Sequence, residues 1–114
     1  IGTIYLQEAA LYSQHLGLAG RVDCVGEFDG VLSIIDFKTS KKIKKKEWIT
    51  NYFIQESAYA IMLEERTGTP IVNLVTIITV DNEEPQVFVE HRDNWVPKLL
   101  ETINEYKRRK IFRN

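Results

Sequence analysis

Two aspartates and one lysine carry most of the chemistry this chain could perform. Asp23 and Asp36 lie thirteen positions apart on either side of Asp29-Gly30, and Lys38 follows the second aspartate by two. The flanking runs GRVDCVGEF and VLSIIDFKTS are rich in apolar residues. An Asp-Gly pair between such runs suits a two-residue type I′ turn, so the segment reads as one β-hairpin. With Phe28 opposite Val31, Asp23 falls opposite Asp36 and Arg21 opposite Lys38. A bulge near Gly26 would shift that register by one. Side chains alternate along a strand, which puts Asp23, Asp36 and Lys38 on one sheet face. Facing carboxylates with Cβ atoms roughly 5 Å apart repel unless a positive charge sits between them.

Residues 31–37, VLSIIDF, form an almost unbroken apolar run, the pattern of a strand covered on both faces. A carboxylate placed there must be paired, metal-bound or neutralised. An ordinary ion pair between Asp36 and Lys38, with Asp23 solvated on an edge strand, would also satisfy that demand. A second aspartate on the same face is what turns the reading toward a divalent-metal site.

The segments GRVDCVGEFDG and SIIDFKTSKK, followed by QESAY on a helix, resemble the RecB-type exonuclease branch of the PD-(D/E)XK nuclease superfamily. The likeness is strongest to mitochondrial genome maintenance and phage-type exonucleases, and it is close over about residues 6–68. It implies a restriction-endonuclease-like α/β (α+β) core, a mixed β-sheet flanked by helices. It also implies a deoxyribonuclease dependent on Mg²⁺ or Mn²⁺, an exonuclease hydrolysing phosphodiester bonds of single-stranded DNA or DNA ends. Asp23, in Gly-x-x-Asp after Gly20, and Asp36 match metal-binding positions, and Lys38 matches the catalytic lysine. The backbone carbonyl of Phe37 would join the metal's oxygen shell, and Glu8 is a candidate extra carboxylate. Gln55 and Tyr59 match a helical Gln-x-x-x-Tyr motif that lines the site, Gln55 positioning DNA or a water at the metal. Lys38 could orient or deprotonate the attacking water, or neutralise developing charge. Two rival readings keep the same scaffold: a non-catalytic nucleic-acid-binding or assembly module, and a structure-specific endonuclease. Members of the branch usually carry a helical segment ahead of the first strand. This sequence begins at Ile1, which suggests the nuclease core of a longer protein.

Composition limits the alternatives. A chain of 114 residues with 44% hydrophobic and 27% charged residues suits one soluble domain. No apolar run approaches membrane-spanning length, and no signal peptide is visible, so an intracellular, soluble protein is expected. The single cysteine, Cys24, cannot form an intramolecular disulfide or supply four ligands to an iron–sulfur cluster. Cys24 should face the core, away from Asp23. His15 in the first hairpin turn and His91 at a strand end read as surface residues, and two histidines do not make a structural zinc site. Glu27 shares the Asp23 face but lies too far toward the turn to reach a metal. No serine has a paired histidine in motif form and no Gly-rich phosphate loop is present, which disfavours acyl transfer and NTP hydrolysis.

The net charge of −1 hides a segregation, since residues 38–46 carry six lysines and no acid. A run of this kind is usually a solvated loop. Because it starts at Lys38, Lys41, Lys42, Lys44, Lys45 and Lys46 become candidates for tracking a nucleic-acid backbone without reading sequence. Tyr52 and Phe53 could stack on bases, although packing of their own helix is the simpler role.

The elements that must position these residues follow from periodicity. Strands are expected over about 5–14, 18–28 and 31–38, then the basic loop, then a helix from about 48–52 to 67 ended by Gly68 and Pro70. Residues 71–80 and QVFVEH read as strands around a DNEEP turn. Asn94 to about Arg109 reads as an amphipathic helix with Trp95, Leu99, Ile103 and Tyr106 on its apolar stripe. The order βββαββα suggests an α/β or α+β sandwich around a mixed sheet.

Overall fold

A computed structural model of the chain describes residues 2–13 and 18–112. The expected hairpin turn at His15 lies outside the described residues. The elements run β1 (Ile4–Ser13), β2 (Leu18–Phe28), β3 (Val31–Ser40), α1 (Thr50–Thr67), β4 (Asn73–Val80), β5 (Gln86–His91) and α2 (Val96–Phe112). Short 3-10 turns at Lys46–Trp48 and Arg92–Asn94 precede the two helices. The expected mixed α+β order is the one observed.

Among the described residues, five strands join one sheet in sequence order. β1, β2 and β3 are successively antiparallel, β3 and β4 are parallel, and β5 returns antiparallel to β4. β3 therefore lies between two partners, and Ser33–Asp36 in its middle are buried on both faces, as the apolar run led one to expect, while Val31 and Phe37 at the ends of that run are exposed. The crossover from β3 to β4 is α1, and parallel strands require such a long connection. Gly68 ends α1 at a φ of 75°, the left-handed conformation that glycine adopts without steric penalty.

The main core lies on the helix side of the sheet. Ile34, Leu74 and Ile78 from the strands meet Phe53, Ala60 and Leu63 from α1 and Leu99 and Ile103 from α2. Phe53 is fully buried, its ring 5.0 Å from Trp95 and 6.2 Å from Phe88. It is a core residue and not a base-stacking one. The apolar stripe expected on α2 stops short, because Tyr106 is 66% exposed while Leu99 and Ile103 are buried. Cys24, Ile35 and Val75 form a second small cluster on the opposite face with Phe28 and Ile77.

Gly20 on β2 marks a close approach of helix to sheet. A Cβ at this position would meet Tyr59 Cε1 at 2.8 Å. The Gly of Gly-x-x-Asp thus makes room for the Tyr of Gln-x-x-x-Tyr, and two distant motif residues are explained by one contact. Gly20→Ala should lower stability by about 1–3 kcal/mol through overpacking. Chemical denaturation would measure it, and Tyr59→Leu in the same chain should recover part of the loss.

Candidate active site

The β2–β3 ladder keeps the expected register from Phe28–Val31 up to Cys24–Ile35. Beyond that point a side chain takes over: Asp23 Oδ2 accepts a hydrogen bond from the Phe37 N–H at 3.1 Å. The carboxyl groups of Asp23 and Asp36 lie within hydrogen-bonding reach of each other. Lys38 Nζ stands 3.1 Å from Asp36 Oδ2 and 4.9 Å from the centre of the Tyr52 ring. The sequence register also placed Arg21 opposite Lys38, and here the structure differs. Arg21 donates to the Glu8 carbonyl at 2.7 Å, because β2 turns toward β1 once the β3 ladder ends.

A local irregularity aims Asp23. Val22 and Val25 both reach the helix-side core, whereas Cys24 joins the opposite cluster. Strict alternation would not put residues three apart on one face, so β2 changes parity around Asp23. On β1 the pairs Gln7–Cys24 and Ala9–Val22 flank the position of Glu8, whose φ is 47°. A glutamate in left-handed backbone is uncommon and costs on the order of 1 kcal/mol or more. Glu8 therefore does not follow the simple alternation expected of β1. Its exposed side chain borders an open cleft together with Gln7, Asp23 and Phe37.

From the helix side, α1 supplies a carboxylate that the motif reading passed over. Glu56 is fully buried, and its Oε2 accepts a hydrogen bond from Thr76 Oγ1. Thr76 pairs with Asp36 in the parallel β3–β4 register, which brings Glu56 toward the two aspartates. Gln55 is exposed and Tyr59 is buried against Gly20. The signal for Glu56 was present in the sequence: Phe53, Glu56, Ala60 and Leu63 fall at 3-4-3 spacing, so the acid occupies a core position of an amphipathic helix.

Burial and mutual repulsion set the electrostatics. Asp36 is pushed up to about 7, first by desolvation and then by the neighbouring Asp23, with Lys38 pulling the other way. Asp23 is lowered, chiefly by the hydrogen bond it receives from Asp36, against an opposing effect of burial. Glu56 rises to about 9, again mainly by desolvation. The Tyr59 hydroxyl is also raised by burial and the nearby carboxylates.

Two buried oxygens, Asp36 Oδ2 and Glu56 Oε1, have no aligned hydrogen-bond donor; the Lys38 ammonium is near the first as a charge rather than as an aligned donor. Unsatisfied carboxylate oxygens are the kind of donor that a hard divalent cation takes. Among the described residues, no group of three or more His, Cys, Asp or Glu side chains is placed to hold an ion. Asp23 and Asp36, whose carboxyl groups meet, are the residues that could hold a divalent ion here, with water completing its oxygen shell.

The lysine loop is more anchored than a solvated run. The backbone of Lys44 exchanges hydrogen bonds with the Gln86 side chain at 2.8 and 2.9 Å. Lys46 pairs with Glu90 at 3.0 Å, so its charge is already partnered. Lys41, Lys42 and Lys45 are exposed.

The family model of the PD-(D/E)XK nuclease superfamily matches residues 3–113. The chain belongs to that superfamily. Its fold is similar to the crystal structure of "Putative exonuclease" from Eubacterium rectale, with a TM-score of 0.58 at 16% identity. The match covers 91% of this chain but 43% of that protein, so the chain spans less than half of its neighbour's length. A comparison with curated proteins finds no match. The superfamily fold is restriction-endonuclease-like, and its nucleases generally use divalent metals such as Mg²⁺. No helix among the described residues is long and apolar enough to cross a membrane.

The titration of the site gives a direction for metal-free protein. Asp36 and Glu56 have folded pKa values above their unfolded ones, so the folded state binds protons more tightly. That contribution is complete below the unfolded values near 4 and is lost as pH rises through about 7 and then about 9. Melting in EDTA should therefore show a midpoint that falls between about pH 5 and about pH 9. Glu56→Gln should flatten the upper part of that fall, and Mn²⁺ should stabilise more at high pH than at low, where protons compete.

Proposed function

We propose that this PD-(D/E)XK domain is a Mg²⁺- or Mn²⁺-dependent deoxyribonuclease of the RecB type, an exonuclease acting on single-stranded DNA or DNA ends. The observation that carries the reading is the meeting of Asp23 and Asp36 with Lys38 between Asp36 and the Tyr52 ring. Asp23 and Asp36 would hold the ion, with the Phe37 carbonyl as a further oxygen donor and Glu8 at the border of the cleft. Bound there, a divalent ion would acidify an attacking water and stabilise charge on the phosphate in transit.

The chain's own groups do the positioning. The Phe37 N–H fixes the Asp23 carboxylate, so its orientation does not have to be organised during reaction. Lys38 is half-shielded, 29% exposed along its side chain, and its ammonium is directed to the carboxylate end of the site. In that position it offsets charge on a scissile phosphate or orients a water. Glu56 and Thr76 close the floor on the helix side. Gln55, exposed on α1 four residues before Tyr59, is assigned to contact with DNA or a water at the metal.

Labelled single- and double-stranded oligonucleotides incubated with Mg²⁺ or Mn²⁺, beside an EDTA control, test the assignment. Asp36→Asn should reduce cleavage by at least about a thousandfold while keeping or tightening DNA binding, since a negative charge near the phosphates is removed. Lys38→Ala should also stop turnover, without tightening binding. Undiminished cleavage in both variants would sink the assignment of roles.

The basic loop gives a separate expectation. Lys41, Lys42 and Lys45 are exposed and suited to phosphate contact, whereas Lys46 is paired with Glu90 and Lys44, its backbone held by Gln86, is half-buried. Changing those three to Gln should weaken binding about equally for unrelated sequences. The slope of log K against log salt should shrink by roughly 0.7 for each lost contact on single strands. An unchanged slope would return the loop to a solvated surface.

A further inference from the structure

The loop that leaves β3 after Ser40 leads into the 3-10 turn Lys46–Trp48, and the turn holds an aromatic ring out in water. Trp48 is 63% exposed. The backbone N–H of Trp48 donates to the Lys45 carbonyl at 3.0 Å, and that of Ile49 donates to the Lys46 carbonyl at 3.1 Å. Gln86 and Glu90, both on β5, hold the same stretch through Lys44 and Lys46. Lys45 Nζ stands 5.3 Å from the centre of the Trp48 ring. The other tryptophan, Trp95, is buried and donates to Glu90 at 3.1 Å, so only one of the pair contributes to the core.

We propose that Trp48 is a stacking platform for an unpaired base of the strand whose phosphate occupies the Asp36–Lys38 site, and that it makes the domain prefer single-stranded DNA. The inference rests on the nuclease reading above. Tyr52, in the first turn of α1 just past Trp48, carries the Lys38 ammonium against its own ring, which ties the start of the helix that follows the 3-10 turn to the lysine. A backbone running outward from Lys38 meets the exposed charges of the loop, and its bases reach a fixed aromatic face. In a duplex each base is already stacked on its neighbours; only an unpaired base has a free π-face to offer. The Lys45 ammonium, held on the ring by a cation–π contact, is available to a phosphate once a base takes its place. The surrounding positive charge favours a polyanion over an apolar protein surface as the occupant.

Because the chain has two tryptophans and one is buried, intrinsic fluorescence reads Trp48 directly. The test titrates the full chain in EDTA with oligothymidylate and with a duplex of equal length. Wild type should be quenched by the single strand, and Trp48→Phe should lose the quenching while retaining most of the affinity. Trp48→Ala should bind the single strand about tenfold more weakly and the duplex nearly as wild type. Far-UV circular dichroism of each variant confirms that the fold is kept. Equal affinities for wild type and Trp48→Ala, or equal losses on both DNA forms, overturn the platform; cleavage by wild type in Mn²⁺ would then leave the nuclease reading standing. Absence of quenching with unimpaired DNA binding also overturns it and points to a protein-facing tryptophan. If wild type neither binds nor cleaves any oligonucleotide, the nuclease reading fails and takes the platform with it.

Discussion

The architecture turns on the enforced proximity of two carboxylates, Asp23 and Asp36, across the end of a hairpin. Left in water they would separate, and left in an apolar interior each would lose its solvation. The protein keeps them together by fixing Asp23 with a backbone N–H, setting Lys38 beside Asp36, and letting Asp36 hold a proton in the absence of a cation. The stability lost here must be recovered in the helix-side core, where Phe53, Leu63, Leu74 and Ile78 are almost wholly buried. Such an arrangement is costly as a scaffold and well suited to gripping a small, highly charged ligand.

Much of this was legible in the residues. The Asp29-Gly30 turn fixed the hairpin register, and the apolar run of β3 indicated a strand covered on both faces, as Ser33–Asp36 are. The helix boundaries followed from Gly68 and from periodicity. What escaped is instructive, because the buried acid of the site is a contact between elements far apart in sequence. Glu56 meets Thr76 only because the parallel pairing of β3 with β4 brings that threonine beside Asp36. Local pattern gives no access to such a pairing, although an acid in a core position of α1 was a visible anomaly. The left-handed Glu8 and the parity change of β2 were hidden for a different reason. Both are local departures from ideal strand geometry, which alternation assumes away.

The lysine run shows a different limit of sequence reading. Charge pattern cannot tell a free cation from a partnered one, and Lys46 is partnered by Glu90 from β5. The same carboxylate receives the indole N–H of Trp95, so Glu90 joins the loop to the start of α2. A stretch that reads as solvated is thereby held at one end by the edge strand, and its exposed side chains project from a defined backbone. For any polyanionic ligand, preorganised charge of this kind reduces the ordering that binding must impose.

The connection between β3 and β4 has a kinetic consequence. Asp23 and Asp36 sit on strands joined by a two-residue turn, and such a hairpin closes early because little chain entropy is lost. Thr76 is reached only after the whole α1 crossover, since β3 residues such as Ser33 pair with residues such as Asn73, forty positions on. Folding rates fall as contacts become less local. The charged pair therefore forms while still hydrated, and its desolvation belongs to the late step in which α1 docks and β4 joins the sheet. A cation drawn to the open hairpin would offset the repulsion between the two carboxylates and so ease that step.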